Sequence, residues 1–429
     1  MHSLKVGATK LDLEPPVGIW LTGYGGRIEP SQGRHDPIMA RALAVSDGDK
    51  TCVLVSVDVI GFDVEDAWQI RKAIEAKTGV PPHCTIIACT HTHSGPASMP
   101  LRGNMGILDK PWNKAARDKI VDLADKAIKK LAPVTMSYAV RELKELGYNR
   151  QPGGGPIDEK LRVLRFEKPS GEPVATLANY ALHAVVLGPS NLMLSADFPG
   201  EVCRQVEKKG GVAFYIQGCC GDIDPAINKD RWGKGTFEDA AQIGAQFAKA
   251  IESALKGAPK ESTARVSGCS EVAVLPFKPA PPADELAKIF ERLKADFDAA
   301  KSFEAKVCAK AMLEWKAALQ NAILSGGLPE TLKAEVTSIM IGDVRIVGLP
   351  FECYTEIGLE IAKGLSPLKP MTVGYANGLY GYCATDAARA KGGYGPNESH
   401  RWFPRLLTPL DNGSSKALID TAVHTAWNT

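Results

Sequence analysis

Residues 84–96 read CTIIACTHTHSGP. The first half, CTIIACT (84–90), is a short apolar run of the kind a buried strand shows, rich in β-branched residues and free of charge. The second half breaks that run with two histidines, a serine, a glycine and a proline. Side chains at i and i+2 of a strand point to the same face, so His91 and His93 are expected to reach one point at the sheet's end. A His-x-His at a strand terminus is one way to present imidazoles to zinc. The same histidines could instead cap the strand and bind backbone carbonyls, and this turn alone does not decide between the two.

Working outward, strands and helices alternate. MARALAVSDGDKTCVLVSVD contains two β-like runs joined by an Asp-Gly hairpin signal at Asp47-Gly48. Residues 64–78 have helical periodicity and end at Gly79-Val80-Pro81-Pro82, and residues 113–131 form a second amphipathic helix. RVLRFEKPSGEPVATLANYA reads as a hairpin, and VAFYIQG (212–218) as one more buried strand. The composition shifts at 276–330, where a Pro-rich connector leads to a helical stretch with an apolar stripe at Leu286, Ile289, Phe290, Leu293 and Phe297. A β-rich pattern resumes with EVTSIMIGDVRIVGLPFE. The expected fold is therefore α/β, with mixed β-sheets flanked by helices: a single large domain over 1–429 carrying an inserted helical hairpin at 281–325.

Four further places put polar residues at the ends of buried runs, the usual position of α/β active sites. His183 lies in LANYALHAVVLG, where a charged imidazole is costly without a partner. Asp197, on the turn that follows, is a candidate to orient a histidine. Gly218-Cys219-Cys220-Gly221-Asp222-Ile223-Asp224-Pro225 follows the VAFYIQ strand, and its aspartates could serve a metal, a general base or the turn itself. Glu352 follows VRIVGLP, and Asn377–Thr385 is dense in glycine and tyrosine.

Composition excludes several function classes. The 429 residues carry 51 Lys plus Arg against 49 Asp plus Glu, a formal net charge of +2, which argues against nucleic acid as the main partner. No window approaches the roughly 18 to 20 apolar residues of a membrane helix, so no stable membrane insertion is expected. Most of the ten cysteines lie in or beside apolar runs and no CxxC occurs, which reads as reduced core thiols. The opening residues lack the apolar stretch of a signal peptide, and a cytoplasmic location is the expectation.

Taken in order, the HTHSGP turn, the isolated His183, the GDxxP turn, the Pro-x-Glu after a strand and the NxxxxY loop resemble the neutral (non-lysosomal) ceramidases over essentially the whole chain, in their amidase domain only. The resemblance implies one zinc held by His91, His183, Glu352 and Tyr382, with a second metal left open. It implies that His93 and Arg150, of the pair Asn149-Arg150, contact substrate, and that Tyr394 lines the site. The function it implies is a zinc-dependent hydrolase that cleaves the amide of a small-molecule N-acyl substrate by a metal-activated water. The chain departs from that family's pattern at Asp224, where ceramidases carry serine, and at Tyr394-Gly395, where they carry Tyr-Glu. Asp224 becomes a candidate general base, and a substrate smaller and more soluble than ceramide is expected. The same centre acting on an ester or lactone, or a homologue that binds a metal or ligand without turnover, are the alternatives. Oligomeric state is not readable from the chain.

Overall fold

Asp47-Gly48 closes the hairpin that its sequence predicts, joining Met39–Ser46 antiparallel to Thr51–Val57. Gly48 takes a φ of 99°, and Asp47 Oδ1 accepts the N–H groups of Asp49 and Lys50 at 3.0 and 2.8 Å. The computed structural model describes residues 3–429. These two strands are the centre of a five-stranded sheet ordered Thr85–Cys89, Thr51–Val57, Met39–Ser46, Lys5–Asp12, Ala132–Pro133. Thr85–Cys89 runs parallel to Thr51–Val57 and is buried at every position, which is why its sequence is continuously apolar rather than alternating. The helix Val64–Thr78 makes the crossover between them, capped by Asp63 and ended by Gly79 at φ 79°.

Two four-stranded sheets complete the mixed α/β architecture. One is ordered Val212–Gln217, Pro173–Tyr180, Lys160–Glu167, Thr135–Glu142; the other Val266–Pro276, Thr331–Ile341, Val344–Gly348, Lys369–Val373. Each contains one parallel pair beside its antiparallel ones: Pro173–Tyr180 with Val212–Gln217, and Val344–Gly348 with Lys369–Val373. The ends of these strands are laced across sheets. Gly374 N–H donates to Gln217 O, Cys89 N–H to Tyr375 O, and Thr90 N–H to Val57 O. Gln217 Nε2 donates to both Thr90 O and Leu182 O. The loops that leave the strand ends therefore meet at one place, and those loops are the ones carrying His91, His183, Asp222, Glu352 and Tyr382.

One element differs from its sequence outline. The second helix spans Lys110–Lys129, starting before residue 113 because Asp109 caps it by accepting Trp112 N–H, with Pro111 in the first turn. The helical hairpin after the Pro-rich connector consists of Ala283–Ala299 and Phe303–Leu324, separated where Ser302 starts a new cap by accepting Ala305 N–H. Their apolar stripes close a small cluster of their own, Leu286, Leu293, Trp315 and Leu319, apart from the main core. Trp315 Nε1 donates to Leu407 O and Gly103 N–H to Glu314 Oε2, which dock this hairpin on the body. Cys52, Cys84, Cys89, Cys203, Cys353 and Cys383 are buried free thiols. No helix among the described residues is long and apolar enough to cross a membrane.

Candidate metal centre

His91 and His93 do converge, but not by the pleat of a strand. The strand ends at Cys89, and His91 sits beyond it at a φ of 61°, a left-handed conformation that a non-glycine residue adopts only when its surroundings impose it. Its N–H donates to Val59 O, and its ring Nδ1 lies 2.7 Å from Ile60 O. His93 N–H donates to Ala184 O. Gly23, at φ 99°, passes so close to this ring that a Cβ there would stand 2.4 Å from His93 Nδ1, so only glycine admits the imidazole. His183 follows the Pro173–Tyr180 strand; its N–H donates to Ile223 O and its Nδ1 lies 3.2 Å from Cys220 O.

Those contacts decide which ring nitrogens carry protons. A carbonyl oxygen only accepts, so Nδ1 of His91 and of His183 is an N–H, which leaves Nε2 of each ring as the atom that can bind a metal. Both Nε2 atoms lie beside His93. His93 Nε2 is 3.2 Å from His91 Nε2 and 3.1 Å from His183 Nε2. Glu352 Oε2 is 3.3 Å from His91 Nε2 and 3.9 Å from His183 Nε2, and it has no hydrogen-bond partner. Burial holds His93 and His183 far below the usual histidine pKa, helped for His93 by His91 and Arg27 and for His183 by Arg150. The imidazoles of His91 and His183 thus lie beside a carboxylate oxygen with no donor of its own. A buried polar oxygen left without a partner is unfavourable until a cation or a donor satisfies it. The three histidines also form the one His/Cys/Asp/Glu group among the described residues whose donor atoms lie within 4.8 Å of each other. Donor chemistry and geometry both fit a divalent metal of the zinc type.

Glu352 and Tyr382 are register partners on short parallel strands, so both side chains leave the same face. The Tyr382 hydroxyl accepts from Arg150 Nη2 at 2.8 Å. Burial and the adjacent Glu352 push this phenol well above its usual value. Arg150 is fixed on three sides, by Tyr382, by Gly221 O at 2.7 Å and by Asp224 Oδ1 at 3.1 Å. Asp224 thus stands in an ion pair with Arg150, which sets it against the guanidinium rather than alone beside the imidazoles. Tyr394 is 48% exposed, its ring 5.8 Å from that of Tyr382, and burial still raises its phenol strongly, as for a residue lining a cleft.

Asp222 and Asp197 prove to be ties. Asp222 accepts from Asn149 Nδ2 at 2.7 Å and from Thr355 N–H at 2.8 Å, joining the segment that carries Arg150 to the one that carries Glu352; burial pushes its carboxyl up to about 6. Asp197 reaches no imidazole among the described contacts. Its carboxylate accepts the N–H groups of Leu187 and Phe198 and so braces the loop after His183. Tyr24 and Tyr375 escaped sequence reasoning: the Tyr24 ring is edge-on to His93 at 5.0 Å, and the Tyr375 ring is stacked on His91 at 3.9 Å. Glycine neighbours marked both as loop residues, and nothing in their own spacing tied them to a histidine.

Comparison with known proteins bears on this centre. The family described as neutral/alkaline non-lysosomal ceramidase, N-terminal, matches residues 4–252, more than half of the chain. That span includes His91, His93, Arg150, His183 and Asp224, and leaves Glu352, Tyr382 and Tyr394 outside it. The chain is similar to the neutral ceramidase of Pseudomonas aeruginosa, 26% identical over 282 residues, covering 58% of this chain and 41% of that protein. It is also similar to neutral ceramidase B of Dictyostelium discoideum, 27% identical over 255 residues, covering 52% and 36%. The matches therefore span less than half the length of these relatives. The solved structure of the Pseudomonas aeruginosa neutral ceramidase shares the fold, with a TM-score of 0.76 at 19% identity over 100% of this chain and 75% of that one. With the fold, the family match and the convergent donors in agreement, the chain belongs to the neutral/alkaline non-lysosomal ceramidase family.

Proposed function

We propose that the protein is a zinc-dependent hydrolase of an N-acyl amide. The observation that carries this reading is the clustering of the Nε2 atoms of His91, His93 and His183, with Glu352 Oε2, a buried carboxylate oxygen without a hydrogen-bond partner, beside His91 and His183. His91, His183 and Glu352 would hold the metal, with His93 and Tyr382 both placed beside the remaining position. Zinc, when bound, supplies Lewis acidity that makes water a nucleophile near neutral pH and polarises a carbonyl.

The chain's own groups account for the rest. Ile60 O and Cys220 O accept the Nδ1 protons of two imidazoles and so leave their Nε2 atoms for the metal position. His93, held neutral by burial, stands beside the other two imidazoles with its Nδ1 unpartnered, which leaves a ring nitrogen to contact the substrate. Arg150, clamped by Asp224 and Gly221, holds a positive charge beside Tyr382, where negative charge on a carbonyl oxygen would be stabilised. An apolar groove of about 430 Å³ lies between the hairpin helices, lined by Leu293, Ala305, Cys308, Ala309, Met312 and Trp402. Its apolar lining suits an acyl chain.

The substrate we infer is a soluble N-acyl amide smaller than ceramide. The departure at Asp224 supports this, because a carboxylate spent on Arg150 cannot offer the hydroxyl that serine would. The test is metal content of protein purified without added metal, followed by hydrolysis of N-acylsphingosine and of short N-acyl amides. One zinc per chain with faster cleavage of the short amides is expected. No metal uptake on titration would sink the reading, and faster cleavage of N-acylsphingosine would return ceramide as the substrate.

A further inference from the structure

The donors of the metal centre come from four separate segments, and one residue outside them touches the support of three. Tyr375 is wholly buried. Its ring lies flat on that of His91, centroids 3.9 Å apart and planes 23° from parallel, and edge-on to His183 at 6.4 Å. Its hydroxyl is 3.2 Å from Cys220 Sγ, and the carbonyl of that same cysteine takes the Nδ1 proton of His183. Its backbone N–H donates to Phe351 O, immediately before Glu352, and its carbonyl accepts from Cys89 N–H, two residues before His91.

This contact set is held at a conformational cost. Tyr375 has a φ of 54°, and Asn377 beside it a φ of 58°, while His91 opposite has 61°. Left-handed backbone at bulky residues persists only where the surroundings over-determine it, and it gathers where geometry matters to function. In the ordinary α or β conformation the Tyr375 ring could not lie on His91 while its amide and carbonyl bridge the Phe351 and Cys89 segments.

We propose that Tyr375 is a positioning residue for the metal centre, setting the plane of the His91 imidazole and tying it to the backbone that carries His183 and Glu352. It touches no substrate and donates no ligand. An imidazole can rotate about its Nδ1 hydrogen bond to Ile60 O; the flat aromatic face removes that freedom and aims Nε2 at Glu352. The inference rests on the reading that this site holds a divalent metal, and its test is on metal binding, separate from amide cleavage.

The experiment compares wild type, Tyr375→Phe and Tyr375→Met. It measures zinc affinity by competition with a chromophoric chelator, and the visible absorption of the cobalt-substituted proteins. Tyr375→Met fills most of the volume without an aromatic face, and a loss of about 10 to 100-fold in zinc affinity with an altered cobalt spectrum is expected. Tyr375→Phe keeps the stack and is expected to restore both. Thermal melts of the metal-free proteins verify folding, and Tyr375→Leu assayed in the cold replaces the methionine variant if that one does not fold. Wild-type affinity and spectrum in the variants lacking the ring would overturn the proposal, as would equal losses in Tyr375→Phe and Tyr375→Met. A wild-type protein that takes up neither zinc nor cobalt would overturn the metal reading and this proposal together, a result distinct from the other two.

Discussion

Glu352 Oε2 lies 3.3 Å from His91 Nε2, and the carboxylate oxygen has no hydrogen-bond partner. The pair is buried, so that oxygen stands in a place water barely reaches. A divalent cation between the two atoms would satisfy both. Zinc should therefore stabilise the fold as well as complete the site. At a free concentration about a thousand times its dissociation constant, the gain is about 4 kcal/mol by mass action, read as a rise in melting temperature. Glu352→Gln keeps the shape but removes the charge, and should lose most of the rise at the same zinc concentration. An unchanged melting temperature in wild type would show that the site takes up no stabilising cation.

The Asp224–Arg150 ion pair makes a second expectation specific. A general base contributes about 10² to 10⁴ in rate. A carboxylate whose task is to hold a guanidinium contributes less when replaced by an amide that keeps the hydrogen bond. Asp224→Asn is therefore expected to lower kcat by no more than about tenfold, with metal content unchanged. Arg150→Ala, which removes the charge itself, should cost about 10² to 10³ in kcat. A loss of a thousandfold in Asp224→Asn would restore Asp224 as the base.

The fourth donor to the metal is open to a direct comparison. Tetrahedral zinc with bonds of about 2.0 to 2.1 Å sets its donors roughly 3.3 Å apart. His93 Nε2 already stands at 3.2 and 3.1 Å from the two other imidazole nitrogens, whereas the Tyr382 oxygen is taken by Arg150 at 2.8 Å. His93→Ala should weaken zinc binding more than Tyr382→Phe does, measured by competition with a chelator. The opposite ranking would give the phenol the fourth place and leave His93 to the substrate.

His91, His93, His183 and Glu352 were legible in the sequence as polar groups at the ends of apolar runs, whereas Arg150 and the role of Tyr382 came from the family resemblance alone. What joins the residues of the centre was not legible. His91 and His93 meet through a left-handed turn, and the i, i+2 spacing pointed to the right partners for the wrong geometric reason. The atoms that orient the imidazoles are the carbonyls of Ile60 and Cys220, and every residue type carries a carbonyl, so no side-chain pattern could point to them. Asp222 and Asp224 look alike in Gly-Asp-Ile-Asp-Pro. One ties two backbone segments and the other pairs with an arginine 74 residues away, a difference decided entirely by long-range packing. The helical hairpin was visible from its stripe, but its break at Ser302 was hidden by good helix formers on both sides.

That hairpin carries the last prediction. His400 is buried at its foot, edge-on to Trp315 at 5.6 Å, with Nδ1 unpartnered. Burial, with Arg401 and Arg102 nearby, lowers its pKa to about 3. Because the folded value lies below that of the unfolded chain, the folded state binds fewer protons between about pH 6.5 and 3. Its contribution is then fully present above pH 6.5 and is lost on acidification, at about 1.4 kcal/mol per pH unit. Between pH 6.5 and 5 this residue should cost about 2 kcal/mol of unfolding free energy, measured by denaturant titration at each pH. His400→Leu, which cannot titrate, should flatten that part of the profile, and limited proteolysis should cut the 281–325 segment sooner at pH 5 in wild type than in the variant. An identical pH profile in both proteins would mean that the imidazole finds water on acidification, and that the hairpin stays docked without regard to its charge.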